Sequence, residues 1–167
     1  MPISWTCLPF ADLGVDALYD CLALRDAVFV VEQDSVYGDV DGLDRVALHL
    51  LGRNDAGELV AYARLLPPGS KRATEVAIGR VVITPTARGC GLGKVLLAEA
   101  VAADPTNDDA RFDYVRLLIA SGGAEEAASL LQEPLKRIPQ PQRFVALKEW
   151  LQCIQFADTD ARAQWPL

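Results

Sequence analysis

Residues 81–109 read VVITPTARGCGLGKVLLAEAVAADPTNDD. A β-branched run stops at Thr84 and Pro85, and Arg88-x-x-Gly91-x-Gly93 then leads straight into an apolar helical pattern from about Leu92 to Ala103. The first amides of a helix have no partner inside it, and the helix dipole adds about half a positive charge at that end. A strand that feeds a glycine turn and then a helix is therefore a candidate anion site. Gly91 and Gly93 remove the Cβ atoms that would hold a diphosphate away, and Arg88 and Lys94 add positive charge. The competing reading is a helix start that needs glycine for its turn alone. Two better-known phosphate loops do not fit. A Walker loop needs four residues between its glycines and a Ser or Thr after the lysine, and Val95 follows Lys94 here. The GxGxxG fingerprint and its parallel strand–helix–strand setting are both missing.

Upstream, the pattern is mostly strand. Residues 3–8 are short and β-prone, whereas residues 13–31 carry apolar positions at helical spacing. EQDSVYGDVDGLD (32–44) is acidic and turn-rich. RVALHLLG (45–52) and LVAYARLLP (59–67) form two strands around the turn RNDAGE, and PPGSKRAT (67–74) is a loop. EVAIGRVVIT (75–84) is the fourth strand, and Gly79 inside it points to a bulge or to a close backbone approach. After Asp104 no strand pattern returns. Residues 106–121, 124–137 and about 140–156 read as helices separated by SGG and IPQP. The expected class is α+β, an antiparallel meander with helices followed by an all-helical tail.

Bulk properties limit the function classes. The chain has 167 residues, 51% apolar and 23% charged, with a formal net charge of −7. That balance disfavours non-specific nucleic-acid binding, which needs clustered Lys and Arg. It suits a cationic amine substrate, and it suits an ordinary soluble protein equally. The four cysteines form no CxxC pair and have no metal-ligand spacing with His49, so no metal is expected. Scattered cysteines and a start without a basic, apolar leader predict a cytoplasmic protein without membrane segments.

The glycine turn has the Q/R-x-x-G-x-G/A form of the GNAT acetyltransferases. Five blocks resemble the ElaA-type members of that family in order and spacing: LYDCLALRDAVFVVEQ (18–33), YGDVDGLD (37–44), ALHLLG (47–52), GELVAYARLLPPG (57–69) and IGRVVITPTARGCGLGKVLL (78–97). The resemblance implies an incomplete GNAT fold over residues 1–101 and acetyl-CoA as co-substrate. It assigns pantetheine contact to Val81, Val82 and Ile83, and the pyrophosphate loop to Arg88, Cys90, Gly91, Gly93 and Lys94. The implied chemistry is attack by a neutral amine, of a small molecule or a peptide, on the thioester. A bulge amide meets the developing oxyanion and a base takes the proton. The candidate base is Glu32, in the apolar context FVVEQ where burial would raise its pKa; the alternative is a helix-end carboxylate bonded to nearby amides. Asp41, Asp44 and His49 are the other candidates. Asp39, Asp41 and Asp44 read either as an amine-attracting rim or as solvated loop carboxylates, and His49 as a substrate residue or a satisfied core histidine.

From residue 102 the family pattern stops. The resemblance leads one to expect a fifth strand, a helix bearing an acid tyrosine and a closing pair of strands, and residues 102–167 supply none of these. Tyr114 is the tail's only tyrosine and receives no acid role. ADPTNDDARFDYVRLLIASGGAEEAASLLQEPLKRIP (103–139) instead resembles the tetratricopeptide-like C-terminal region of YbbN/CnoX-type thioredoxin-like co-chaperones. In it Pro105 with Asn107 or Asp108 opens a helix. Residues 102–167 are thus expected to be a truncated TPR-like unit, able to recruit a protein partner and ending in ARAQWPL. An uncovered fourth-strand edge would invite a homodimer. Three functions remain open: an acetyl-CoA-dependent N-acetyltransferase, full or impaired; a non-catalytic protein-binding module; or an inactive chimera.

Overall fold

Residues with alternating apolar side chains build the sheet. In the computed structural model, which describes residues 2–70 and 76–159, four strands pair antiparallel in the order β1-β2-β3-β4. They are β1 (Ser4–Pro9), β2 (Leu48–Arg53), β3 (Leu59–Leu66) and β4 (Ala77–Ile83). The loop expected over 67–74 lies partly outside the described residues, as do Glu75 and the terminal ARAQWPL. The chain divides into two units, residues 1–110 and 111–167.

In the first unit β3 is buried at every position. Helix α1 (Gly14–Arg25) packs Leu13, Cys21 and Leu24 on Leu51, Tyr62 and Val82. Strand side chains alternate between faces, so Ile83 points away from Val82. It meets the start of helix α2 (Leu92–Ala103), where a Cβ on Gly93 would sit 3.6 Å from its Cδ1. Trp5 of β1 lies opposite Gly52 of β2, and a Cβ there would come within 2.5 Å of the indole. That position is glycine because any side chain there would collide with the indole.

The helix expected over residues 13–31 changes character partway. It is α-helical to Arg25, then widens to π-helical turns over Asp26–Glu32, where the Gln33 amide bonds the Val28 carbonyl at 3.0 Å, five residues back. The strand expected from residue 45 begins at Leu48, because Leu43–Val46 form a tight turn around the buried Asp44.

After α2, Asp104 accepts from the Thr106 amide and hydroxyl, at 3.1 and 2.6 Å, and the chain turns. Asn107 then caps helix α3 (Asp108–Ala120). Its Oδ1 accepts from the Ala110 amide at 3.0 Å, while its Nδ2 donates to the Ala77 carbonyl of β4 at 3.1 Å. Asp109, in the first turn, accepts from the Ile78 amide at 3.0 Å. Two backbone groups at the start of β4 are thus met by side chains rather than by another strand. No fifth strand occurs among the described residues.

The second unit continues α3 and adds α4 (Ala124–Arg137) and α5 (Gln142–Thr159). Val115, Leu118, Ala127, Leu131, Phe144, Leu147 and Leu151 form its core. Phe144 is buried edge-on to Phe112, with 6.0 Å between centroids, whereas Trp150 stays 40% exposed. The Tyr114 hydroxyl bonds Glu126, an internal helix–helix tie. Among the described residues no helix is long and apolar enough to cross a membrane.

Asn107 is fully buried and works at both ends of its amide. Asn107→Ala removes the cap and leaves the Ala77 carbonyl without this donor. We expect a loss of about 1–3 kcal/mol, read from urea denaturation. Asn107→Asp, which keeps only the capping oxygen, should recover part of that loss.

Candidate active site

The site is organised by an irregularity in β4. Tyr62 pairs with Val82 and Arg64 with Gly79, so Ala63 alone faces both Arg80 and Val81. One residue opposite two is a β-bulge, and the ladder cannot pair both amides of the longer strand. The bulge falls beside Gly79, as the sequence implies, but the left-handed residue is Arg80, at φ 53°. On the cleft side, Arg80 and Val81 line a pocket of about 300 Å³ with Phe29, Gln33, Tyr37 and Asp39.

Beneath the bulge lies a buried charge cluster. The Arg25 guanidinium donates from Nη1 to Asp44 Oδ1 at 2.7 Å and from Nε to Asp39 Oδ2 at 2.7 Å. The Arg64 guanidinium donates from Nη1 to Asp44 Oδ1 at 2.9 Å and from Nη2 to Asp41 Oδ2 at 2.7 Å. Arg80 closes the set, with Nε 2.6 Å from Asp39 Oδ1 and Nη2 3.3 Å from Asp41 Oδ2. Three guanidinium groups meet three carboxylates, so the cluster is neutral. His49, fully buried, completes it: Nε2 lies 2.9 Å from the Asp44 carbonyl and Nδ1 2.8 Å from the Tyr62 hydroxyl. A carbonyl only accepts, so the neutral ring carries its proton on Nε2 and Tyr62 donates to Nδ1.

These contacts make His49 a satisfied core histidine, one of its two sequence readings, and place Asp41 and Asp44 in neither of theirs. Asp41 and Asp44 do not form a free acidic rim, because their oxygens are spent on Arg25, Arg64 and Arg80. The Arg64 hydrogen bond holds the Asp41 carboxyl well below the usual range. Burial opposes the same shift at Asp44, but the paired guanidinium groups overcome it and hold its carboxyl low too. Burial pushes the His49 pKa down, which keeps the ring neutral.

The glycine turn follows the bulge. Gly89 and Gly91 both adopt φ 80°, and Gly91 begins α2 with the Lys94 amide bonded to its carbonyl at 3.1 Å. The amides of Leu92 and Gly93, first in the helix, have no acceptor within it. A Cβ at Gly91 would meet nothing within 4 Å. Cys90 is exposed and its thiol donates to the Ala87 carbonyl at 3.2 Å. Arg88 braces the turn, donating from Nε to the Ile83 carbonyl at 3.0 Å and pairing with Glu32 at 2.6 and 2.9 Å. Glu32 is therefore exposed and bonded. Its hydrogen bonds to Arg88 lower its carboxyl pKa, the opposite of the rise expected from burial.

Along β4, Val82 is buried against Tyr62, whereas Val81 is 39% exposed at the cleft and Ile83 half-buried. The structure thus brings Val81 and Ile83 to one strand edge, with Arg88, Cys90, Gly91, Gly93 and Lys94 on the turn that follows. It sets Asp41, Asp44 and His49 apart, in the cluster below. Sequence reasoning did not single out Arg64, Arg80, Tyr62 or the pairing of Asn107 and Asp109 with β4. One signal for the arginines was available: a charged residue inside the apolar runs VAYARLL and AIGRVV is buried only when paired. Among the described residues no group of three or more His, Cys, Asp or Glu side chains stands ready for a metal.

Comparison with known proteins agrees with this geometry. The acetyltransferase (GNAT) family model matches residues 16–111, and a tetratricopeptide repeat model matches residues 94–151. Protein ElaA of Escherichia coli is 43% identical over 102 residues, covering 59% of this chain and 65% of that protein. A UPF0039 protein of Synechocystis is 44% identical over 101 residues, covering 60% and 65%. A UPF0039 protein of Mycobacterium tuberculosis is 31% identical over 133 residues, covering 77% and 85%. The crystal structure of an acyl-CoA N-acyltransferase from Pseudomonas aeruginosa superposes with a TM-score of 0.57 at 48% identity, covering 61% of this chain and 70% of that one. The crystal structure of Escherichia coli ElaA gives the same TM-score at 40% identity, covering 61% and 69%. The chain belongs to the GNAT acetyltransferase family. It spans about 65% of the length of the Synechocystis and Escherichia coli relatives.

The cluster sets a pH dependence. His49 has a folded pKa below its unfolded value near 6.5, so the unfolded chain binds the extra proton and stability falls as pH drops through about 6.5. Asp41 and Asp44, also depressed, hold stability that is fully present above an unfolded pKa of about 3.9 and lost below it. Urea midpoints should be flat above about pH 7.5, decline through about pH 6, and fall more steeply below about pH 4. His49→Gln should flatten the upper limb and leave the lower one.

Proposed function

We propose that the chain binds acetyl-CoA along the β4 edge and the Arg88–Lys94 turn and transfers the acetyl group to a primary amine. The observation that carries this is the direct succession of bulge, edge strand and open helix start on one chain segment. The Leu92 and Gly93 amides take the diphosphate, aided by Lys94 and by the backbone freedom of Gly91. The backbone of Val81, Val82 and Ile83 takes the pantetheine arm. The bulge supplies an amide to the thioester oxygen, and such a donor is worth about 3 kcal/mol where it has been removed from other oxyanion sites. Glu32, adjacent in sequence to the cleft residue Gln33, is the proposed proton acceptor, and it acts only when its pairing with Arg88 opens, because that pairing holds its pKa low. The neutral cluster gives the cleft no net pull on cations, so the amine must arrive without strong steering. Membership of the GNAT family and the ElaA likeness support this reading.

A second reading, a protein-binding module, is favoured by the tetratricopeptide match. It also draws on a groove of about 380 Å³ lined by Leu131, Leu135 and Leu151. The likeness to YbbN/CnoX-type co-chaperones belongs to this reading.

Calorimetric titration with acetyl-CoA separates the two. Gly93→Val puts bulk beside the open amides, and its Cβ meets only Ile83, at ordinary contact distance. The native chain should bind and the variant should bind at least about tenfold more weakly, with both folded by circular dichroism. No heat from the native chain overturns the acyltransferase reading and leaves the binding module.

A further inference from the structure

The cluster beneath β4 ends in a strained residue. Arg80 has φ 53°, a region that side chains other than glycine seldom occupy and that persists only when the surroundings over-determine it. Gly79, next to it, would accept that conformation without strain, yet its own φ is not positive. What the surroundings supply is a clamp on the Arg80 side chain. Nη2 donates to the Asp39 carbonyl at 2.7 Å and to Asp41 Oδ2 at 3.3 Å, while Nε sits 2.6 Å from Asp39 Oδ1 as an ion-pair contact without hydrogen-bond geometry. Both carboxylates are anchored in turn, Asp39 by Arg25 of α1 and Asp41 by Arg64 of β3. The left-handed residue is therefore fixed through its side chain to two other elements, at the point where β4 carries one residue too many for its partner and where the cleft opens.

We propose that Arg80 is a positioning residue whose clamp on Asp39 and Asp41 locks the bulge so that its unpaired amide meets the acyl oxygen of a bound thioester, giving the site a preference for acetyl-CoA over free coenzyme A. This rests on the acyltransferase reading. The bulge conformation, not the diphosphate turn, sets the preference, so the two contributions separate in one experiment. A free thiol offers no carbonyl to the amide, so only the acetylated form gains from a correctly held bulge.

The test measures dissociation constants for acetyl-CoA and for coenzyme A, by calorimetry, in the native chain, Arg80→Ala and Arg80→Gly. Arg80→Ala removes the clamp and keeps the unfavourable φ. Arg80→Gly removes the clamp and relieves the φ, so it folds even where the alanine variant is weakened. The native chain should prefer acetyl-CoA by about tenfold, the worth of one good hydrogen bond. In both variants the preference should fall below about threefold, while coenzyme A affinity stays within about twofold of native. A preference unchanged in Arg80→Gly overturns the proposal, as does a native chain that binds both forms equally. A native chain that binds neither form overturns the acyltransferase reading and this proposal together. Loss of affinity for both forms in equal proportion in the variants also overturns it, because that is what a merely structural residue would give.

Discussion

Two buried guanidinium groups share one buried carboxylate: Arg25 and Arg64 both bond Asp44 Oδ1. Removing such groups from water is severely unfavourable unless every charge is matched, and deleting one member of a buried pair typically destabilises by about 3–5 kcal/mol because the other is left unmatched. Here matching requires residues from α1, from the acidic loop and from β3 at one point. The loop 32–44 has no core of its own and is rich in turn residues, so its course over the sheet is set largely by where Asp39, Asp41 and Asp44 must go. The tight turn at Leu43–Val46 and the late start of β2 follow from the same requirement.

Neutrality of the cluster also shapes the chemistry above it. An acidic protein of net charge −7 suggests a surface that gathers cations. At Asp39 and Asp41 that suggestion fails, because these carboxylates are already paired with arginines less than 3.5 Å away. Discrimination there must come from shape and from backbone donors rather than from long-range attraction. The Arg88–Glu32 pair has the same logic on the exposed side. It joins the π-helical end of α1 to the glycine turn, and in doing so lowers the one carboxylate that apolar neighbours in the sequence suggested would be raised.

The strands, α2 and the later helices were legible because each depends on local rules: alternation, turn residues and helical spacing. The glycine turn was legible for the same reason, since its conformation is dictated by residues within one turn. The cluster was not. Asp41, Asp44 and His49 look alike as free and as paired groups when read along the chain, the carboxylates' partners Arg25 and Arg64 are about 20 positions away, and His49 meets Tyr62 across the β2–β3 pair. Glu32 misled for a related reason: FVVEQ is apolar in sequence, but the widened turns from Asp26 onward carry that glutamate to the surface beside Arg88. The bulge was anticipated from Gly79, yet the strain fell on Arg80, because a side-chain clamp can hold an unfavourable backbone angle and a glycine has none to offer.

The open edge of β4 is governed by an equally local device. A strand whose outer edge is bare is exposed to pairing with any other chain, and the family resemblance leads one to expect another strand there. In its place the turn Asp104–Asn107 brings in the first turn of α3. Asn107 and Asp109 then supply one donor and one acceptor to Ala77 and Ile78. Side chains can imitate a neighbouring strand only over the span of a single helical turn, so this cover ends before the bulge. Beyond it, Arg80 and Val81 border the cleft, and the strand leads into the glycine turn. The same arrangement that covers the start of the strand thus leaves its later residues without a neighbouring strand among the described residues, and the division falls where the bulge breaks the ladder. A helix start chosen for capping, with asparagine at its first position and an aspartate two residues on, is sufficient to produce both effects.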